Sequence, residues 1–159
     1  MNVAIVIYSK TGATFNVARK IALLFTDAKI NCNIIRLESK DDLRPRLKNV
    51  SISTKVNLES YDTLIFGTPV WAFTAAPVVP AFLNTKPDLK GKKVLNFITM
   101  GLPFKLMGGN SAQTQVDTLT SACGATVIRN GGIINQPSMR NAAKIDAFVK
   151  SIFDKITKK

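Results

Sequence analysis

The segment that most constrains this chain runs from Asn2 to Phe25: NVAIVIYSKTGATFNVARKIALLF. Residues 3–8 are almost uniformly apolar, as expected of a strand covered on both faces, and such strands belong to parallel sheets flanked by helices. The strand runs directly into Ser9-Lys10-Thr11-Gly12-Ala13-Thr14. A helix over 11–29 follows, with Phe15, Ala18, Ala22 and Phe25 at helical spacing. A helix N-terminus carries unpaired backbone N–H groups and a partial positive charge, so this turn suits a phosphate. The hydroxyls of Ser9, Thr11 and Thr14 would surround the anion, and Gly12 would let it approach the backbone. A plain N-cap by Ser9 or Thr11 would use the same residue types. The turn is neither a Walker loop nor Gly-x-Gly-x-x-Gly.

The rest of the chain repeats the alternation. Strands are expected over 31–37, 63–68, 93–99 and 126–134, and helices over 75–84, 111–123 and 141–156. The helix over 111–123 places Ala112, Val116, Leu119 and Cys123 on one face, and Gly124 suits its C-terminal stop. The last helix buries Ile145, Phe148, Val149, Ile152 and Ile156. Residues 40–60 are polar and open: they allow a short helix around 42–47, interrupted by Pro45, and an extra strand around 51–56. Five strand–helix units in 159 residues predict one α/β domain over 1–159, a doubly wound parallel sheet of order 2-1-3-4-5 with helices on both faces. In that order the ligand crevice lies at the carboxyl ends of strands 1 and 3, where the winding reverses.

Composition removes several chemistries. The chain has no histidine, and its two cysteines are far apart, so zinc sites of the usual kind and histidine-based triads are excluded. No metal site and no catalytic side chain is expected. Cys32 and Cys123 read as small core residues of a reducing compartment. No signal peptide and no membrane-spanning run is visible, which predicts a soluble, cytoplasmic protein. The charge is +12, spread over 36–55, 86–105 and 140–159 without a dense block. A basic surface of this kind keeps a protein soluble and can dock an acidic partner. Nucleic acid is disfavoured, because basic residues are not interleaved with an aromatic platform.

If the topology is right, the turns after strands 1, 3 and 4 should be unusual, and they are. The second carries Gly67-Thr68-Pro69-Val70-Trp71-Ala72-Phe73, with the one tryptophan, over an expected loop at 69–74. Trp71 and Phe73 could flank a flat ring or simply cover the core. The third, Thr99-Met100-Gly101-Leu102-Pro103-Phe104 running on to Gly108-Gly109, is longer than the usual strand-to-helix connection.

Together these three segments resemble the flavodoxin family over essentially the whole chain. The resemblance implies a flavodoxin-like fold of the short-chain type and FMN as cofactor. Ser9, Lys10, Thr11, Gly12, Ala13 and Thr14 would hold the FMN phosphate. Thr68, Pro69, Val70, Trp71 and Phe73 would flank the isoalloxazine, and Thr99, Met100 and Gly101 would meet its pyrimidine edge. Two departures stand out. Flavodoxins are usually acidic and this chain is basic, and Leu102, Pro103 and Phe104 occupy a stretch where an acidic residue and a tyrosine are usual. The function implied is electron transfer through bound flavin, with an acidic redox partner. An FMN-dependent NAD(P)H:quinone-type oxidoreductase and a non-redox phosphate-ligand module are the alternatives.

Overall fold

The computed structural model describes residues 1–158, the side chain of Asn130 excepted. Its elements are β1 (Asn2–Ile7), α1 (Ala13–Asp27), β2 (Asn31–Arg36), β3 (Thr63–Trp71), β4 (Thr74–Ala75), α2 (Val78–Asn84), β5 (Lys93–Met100), α3 (Gly109–Ala122), β6 (Thr126–Asn135), α4 (Gln136–Met139) and α5 (Ala142–Thr157). The sheet has six strands. Five lie in the order β2-β1-β3-β5-β6, all paired parallel, and the two-residue β4 pairs antiparallel with the end of β3. Apart from β4, this is the path expected from the sequence.

The apolar character of β1 follows from its place. Val3, Ile5 and Ile7 enter the core beneath α1 and α5, with Val17, Ile21, Phe25, Val149 and Ile152. Ala4, Val6 and Tyr8 enter the opposite core beneath α2 and α3, with Val79, Leu83, Ala112 and Val116. Alternation sends successive side chains to opposite faces, so a strand with helices on both sides has no polar face. In α1 the buried stripe is Thr14, Val17, Ala18, Ile21 and Phe25, while Phe15 and Ala22 lie at its border.

Two local expectations are corrected, and one element is added. Residues 37–62 contain neither the short helix nor the extra strand. Pro45 removes an N–H, and Arg46 and Asn49 take left-handed φ values of 60° and 58°, which no helix continues through. The segment instead lays Leu43, Val50, Ile52, Val56 and Leu58 on the core and ties back through Ser53 N–H to the Glu38 carbonyl at 2.8 Å. Residues 69–74 are not an open loop: β3 continues to Trp71 and turns back as β4. Pro69 is tolerated there because it lies past the last β1 pairing, Ile7 with Gly67. Finally, the short α4 precedes α5, capped by the Asn135 side chain, which accepts from Ser138 N–H.

The register is regular from β2 to β5 and breaks between β5 and β6. Leu95 faces Ile128 and Phe97 faces Gly132, so Asn96 alone opposes residues 129–131. This is a bulge at the sheet's outer edge. Gly131 is required there, because a Cβ at that position would overlap the Asn96 carbonyl oxygen.

Candidate functional site

The turns after β1, β3 and β5 meet at the carboxyl edge of the sheet. Tyr8 N–H donates to the Gly67 carbonyl at 3.1 Å, so β1 and β3 remain tied as their chains diverge to opposite faces.

The turn after β1 is built around Gly12, which caps α1 at φ 95°. A side chain there would be strained by backbone conformation although the surrounding space is open. Ser9 Oγ accepts from Phe15 N–H at 3.2 Å, and the Gly12 carbonyl accepts from Asn16 N–H at 2.9 Å. Ser9 thus satisfies one first-turn donor from three residues ahead of the cap, while the N-cap position itself belongs to Gly12. The N–H groups of residues 10–14 donate to no protein acceptor among the described residues. Five successive donors at a helix N-terminus form a cradle for an oxyanion.

Two contacts hold this cradle from behind. The Thr14 hydroxyl is buried and pairs with the Thr99 hydroxyl at 2.8 Å, joining the first turn to the end of β5. Arg36, at the end of β2, donates to the Ser9 carbonyl at 3.2 Å and lies 4.8 Å from the Phe15 ring centre. On the crevice side, the Lys10 ammonium lies 5.5 Å from the Trp71 ring centre. Tyr8 meets the same indole edge-on at 5.5 Å, and burial pushes its phenol pKa up.

The turn after β3 is a hairpin with Ala72 and Phe73 at its centre, both at positive φ, 45° and 67°. Two-residue hairpins of this hand favour Asn-Gly, and each L-residue there carries strain of about 1 kcal/mol or more. Neighbours hold it in place. Arg46 donates to the Ala72 carbonyl at 3.1 Å, and Gln115 Oε1 accepts from the Thr74 hydroxyl at 2.8 Å and Ala75 N–H at 3.3 Å. Gly108, the N-cap of α3, fits under the turn: a Cβ there would lie 2.5 Å from Phe73 Cα. Phe73 itself projects outward, 56% exposed, while Thr68 is buried and Trp71 half-buried.

After β5, Met100 is buried and Gly101 opens an exposed loop. Asn135, at the end of β6, tethers it by donating to the Pro103 carbonyl at 2.8 Å. Leu102, Phe104 and Leu106 point to solvent, the last two 67% and 87% exposed.

All residues singled out from the sequence therefore fall on three adjoining turns and strand ends. Lys10 and Thr14 make the cross-contacts to Trp71 and Thr99, and Phe73 stands at the rim. The sequence reading passed over Arg36, Arg46, Gln115 and Asn135. Each acts across more than twenty residues of chain, and no local spacing marks such a partner.

The flavodoxin family model matches residues 2–152, and the chain belongs to that family. No curated protein sequence matches it. Among solved structures it is similar to flavodoxin 2 of Bacillus cereus, with 19% identity and a TM-score of 0.71 over 98% of this chain and 99% of that one. A flavoprotein of Lactobacillus acidophilus in complex with FMN gives 16% identity and a TM-score of 0.63, covering 88% and 96%. Two-electron reduced flavodoxin of Megasphaera elsdenii gives 25% identity and 0.62, covering 94% and 97%. Among the described residues no helix is long and apolar enough to cross a membrane.

Proposed function

We propose that the chain, as a single domain, binds FMN across these three turns and carries electrons to or from a partner protein. The supporting observation is the row of uncommitted N–H groups at residues 10–14, set beside an indole and locked to β5 by Thr14 and Thr99. Residues 9–14 would hold the phosphate, Thr68 to Trp71 and Phe73 would flank the ring, and Thr99 to Gly101 would meet its polar edge. FMN, when bound, supplies one- and two-electron redox chemistry. The protein's own residues set its environment. Lys10 favours added negative charge on a ligand beside Trp71, and acidic residues in that position would oppose it. The reduction potential of the flavin in this protein is therefore expected to be less negative than in acidic flavodoxins.

A flavin absorption spectrum of the purified protein, followed by titration of the apoprotein with FMN, tests this reading. Saturable binding that quenches flavin fluorescence is expected, and a colourless protein indifferent to added FMN would overturn it. Exposed Phe73, Leu102, Phe104 and Leu106 beside Lys10 and Lys105 suit an apolar contact ringed by cations. An acidic partner would dock there with a salt-sensitive rate. The same rim favours a second reading, direct reduction of a small apolar acceptor such as a quinone by NAD(P)H. Steady-state NAD(P)H oxidation separates the two.

A further inference from the structure

Beside the bulge in β6 a groove of about 880 Å³ lies between α3 and α5, along the outer edge of the sheet, and touches the loop after β5 at Lys105 alone. Its size is that of a small-molecule site. Lys105 enters from the loop after β5, Arg129 from the bulge and Lys155 from α5, while Gln113 and Asp117 come from α3. Phe148 and Ile133 provide apolar floor.

Two polar groups of α3, the half-buried Gln113 and Asp117, are tied to Asn96 of β5. Asp117 Oδ1 accepts from Asn96 Nδ2 at 2.7 Å and from Gln113 Nε2 at 2.8 Å, and Gln113 Nε2 also donates to the Asn96 carbonyl at 3.2 Å. With its donor end committed inward, the buried Gln113 Oε1 has no protein partner. Leaving such an acceptor unmatched is costly. On the other wall, Lys155 donates to the Gly131 carbonyl at 3.1 Å. Burial, and then the nearby charge of Lys105, lower the Lys155 pKa. No carboxylate pairs with Lys105 or Arg129 among the described residues. Cations gathered at a concave, partly desolvated place favour an anion. Asp117 would repel that anion, but it is suited, with Gln113 Oε1, to accept from hydroxyl or amino groups.

We propose that this groove binds a phosphorylated small molecule of nucleotide size, its phosphates against Lys105, Arg129 and Lys155 and its hydroxyl or amino donors against Asp117 and Gln113. The site is distinct from the cradle at residues 9–14.

The test is titration of ADP, and separately of pyrophosphate, into the full chain preloaded with one equivalent of FMN and freed of unbound flavin, read by calorimetry and backbone amide shifts. Saturable binding is expected, with shifts at residues 110–118 and 129–133. ADP should bind several-fold more tightly than pyrophosphate, because only ADP offers the donors. Lys105→Gln with Arg129→Gln should weaken ADP by about tenfold or more. Lys20→Gln with Lys150→Gln, which removes the same charge outside the groove, should change it less than about twofold. Lys155 is kept in all variants because it also supports Gly131. The absence of saturable binding, shifts confined to residues 9–14, or equal losses in the two double variants would overturn the proposal. Equal affinity for ADP and pyrophosphate would overturn the role given to Asp117 and Gln113. The shift map separates the two sites, so the outcome does not depend on whether FMN binds.

Discussion

The carboxyl edge of β1, β3 and β5 and the outer edge at β6 use glycine for opposite reasons. At the first, register is regular and Gly12 stands in open space, needed for its left-handed backbone. At the second, register breaks and Gly131 is needed because the neighbouring strand occupies the place of a side chain. One edge is shaped by a conformation that exposes donors, and the other by a close approach of two backbones that leaves no room for a side chain. The first makes a cradle of N–H groups, and the second a groove lined by side chains.

Substitution by alanine should separate these cases most clearly. Gly131→Ala must displace backbone of β5, and a loss of about 3 kcal/mol or more is expected in urea unfolding. Gly12→Ala should cost only about 1 kcal/mol, while FMN affinity falls because the N–H groups lose their alignment. Similar losses at both positions would erase the distinction.

The Thr14–Thr99 pair comes next. Thr14→Val or Thr99→Val leaves a buried hydroxyl without its partner, at about 1–3 kcal/mol each. The double variant should lose less than the sum, and a double-mutant cycle measures the difference. The hairpin after β3 should respond in the other direction. Replacing Ala72-Phe73 by Asn-Gly removes left-handed strain and is expected to add about 1 kcal/mol of stability, while loss of the Phe73 ring weakens FMN retention.

Smaller effects belong to charge. Lys10→Gln removes a cation beside Trp71, worth about 0.7 kcal/mol near water, and should lower the one-electron potential of the flavoprotein by about 30 mV. Spectroelectrochemistry checks this. Burial pushes the Cys32 thiol up to about 11 from its ordinary 9.0. Its neutral form is favoured in the folded protein, so stability linked to it is full below about pH 9 and is lost as pH rises through about 11. Alkylation at pH 8 should accordingly be slow compared with the unfolded chain.

Where residues near in sequence act together, the chain could be read directly. The apolar run of β1, the periodicity of α3 and α5, Gly124 beyond α3 and the Gly12 turn all rest on local spacing. They were sufficient for the sheet order. Where distant partners decide, local spacing misled. Residues 69–74 were expected as a loop, yet Arg46, Gln115 and Gly108 hold a hairpin there. Residues 40–60 looked able to form a short helix around 42–47 or a strand around 51–56, but their apolar side chains cover the core from an irregular path.

The sequence by itself determined a doubly wound α/β sheet with a glycine-containing turn that opens a helix after its first strand, because helix starts and covered strands are written in neighbouring residues. Only the tertiary structure decided that Thr14 meets Thr99, that Lys10 lies over Trp71, and that the β6 bulge packs Gly131 against Asn96 beside a second groove. Those contacts depend on how strands far apart in the chain come into register, which no local pattern encodes.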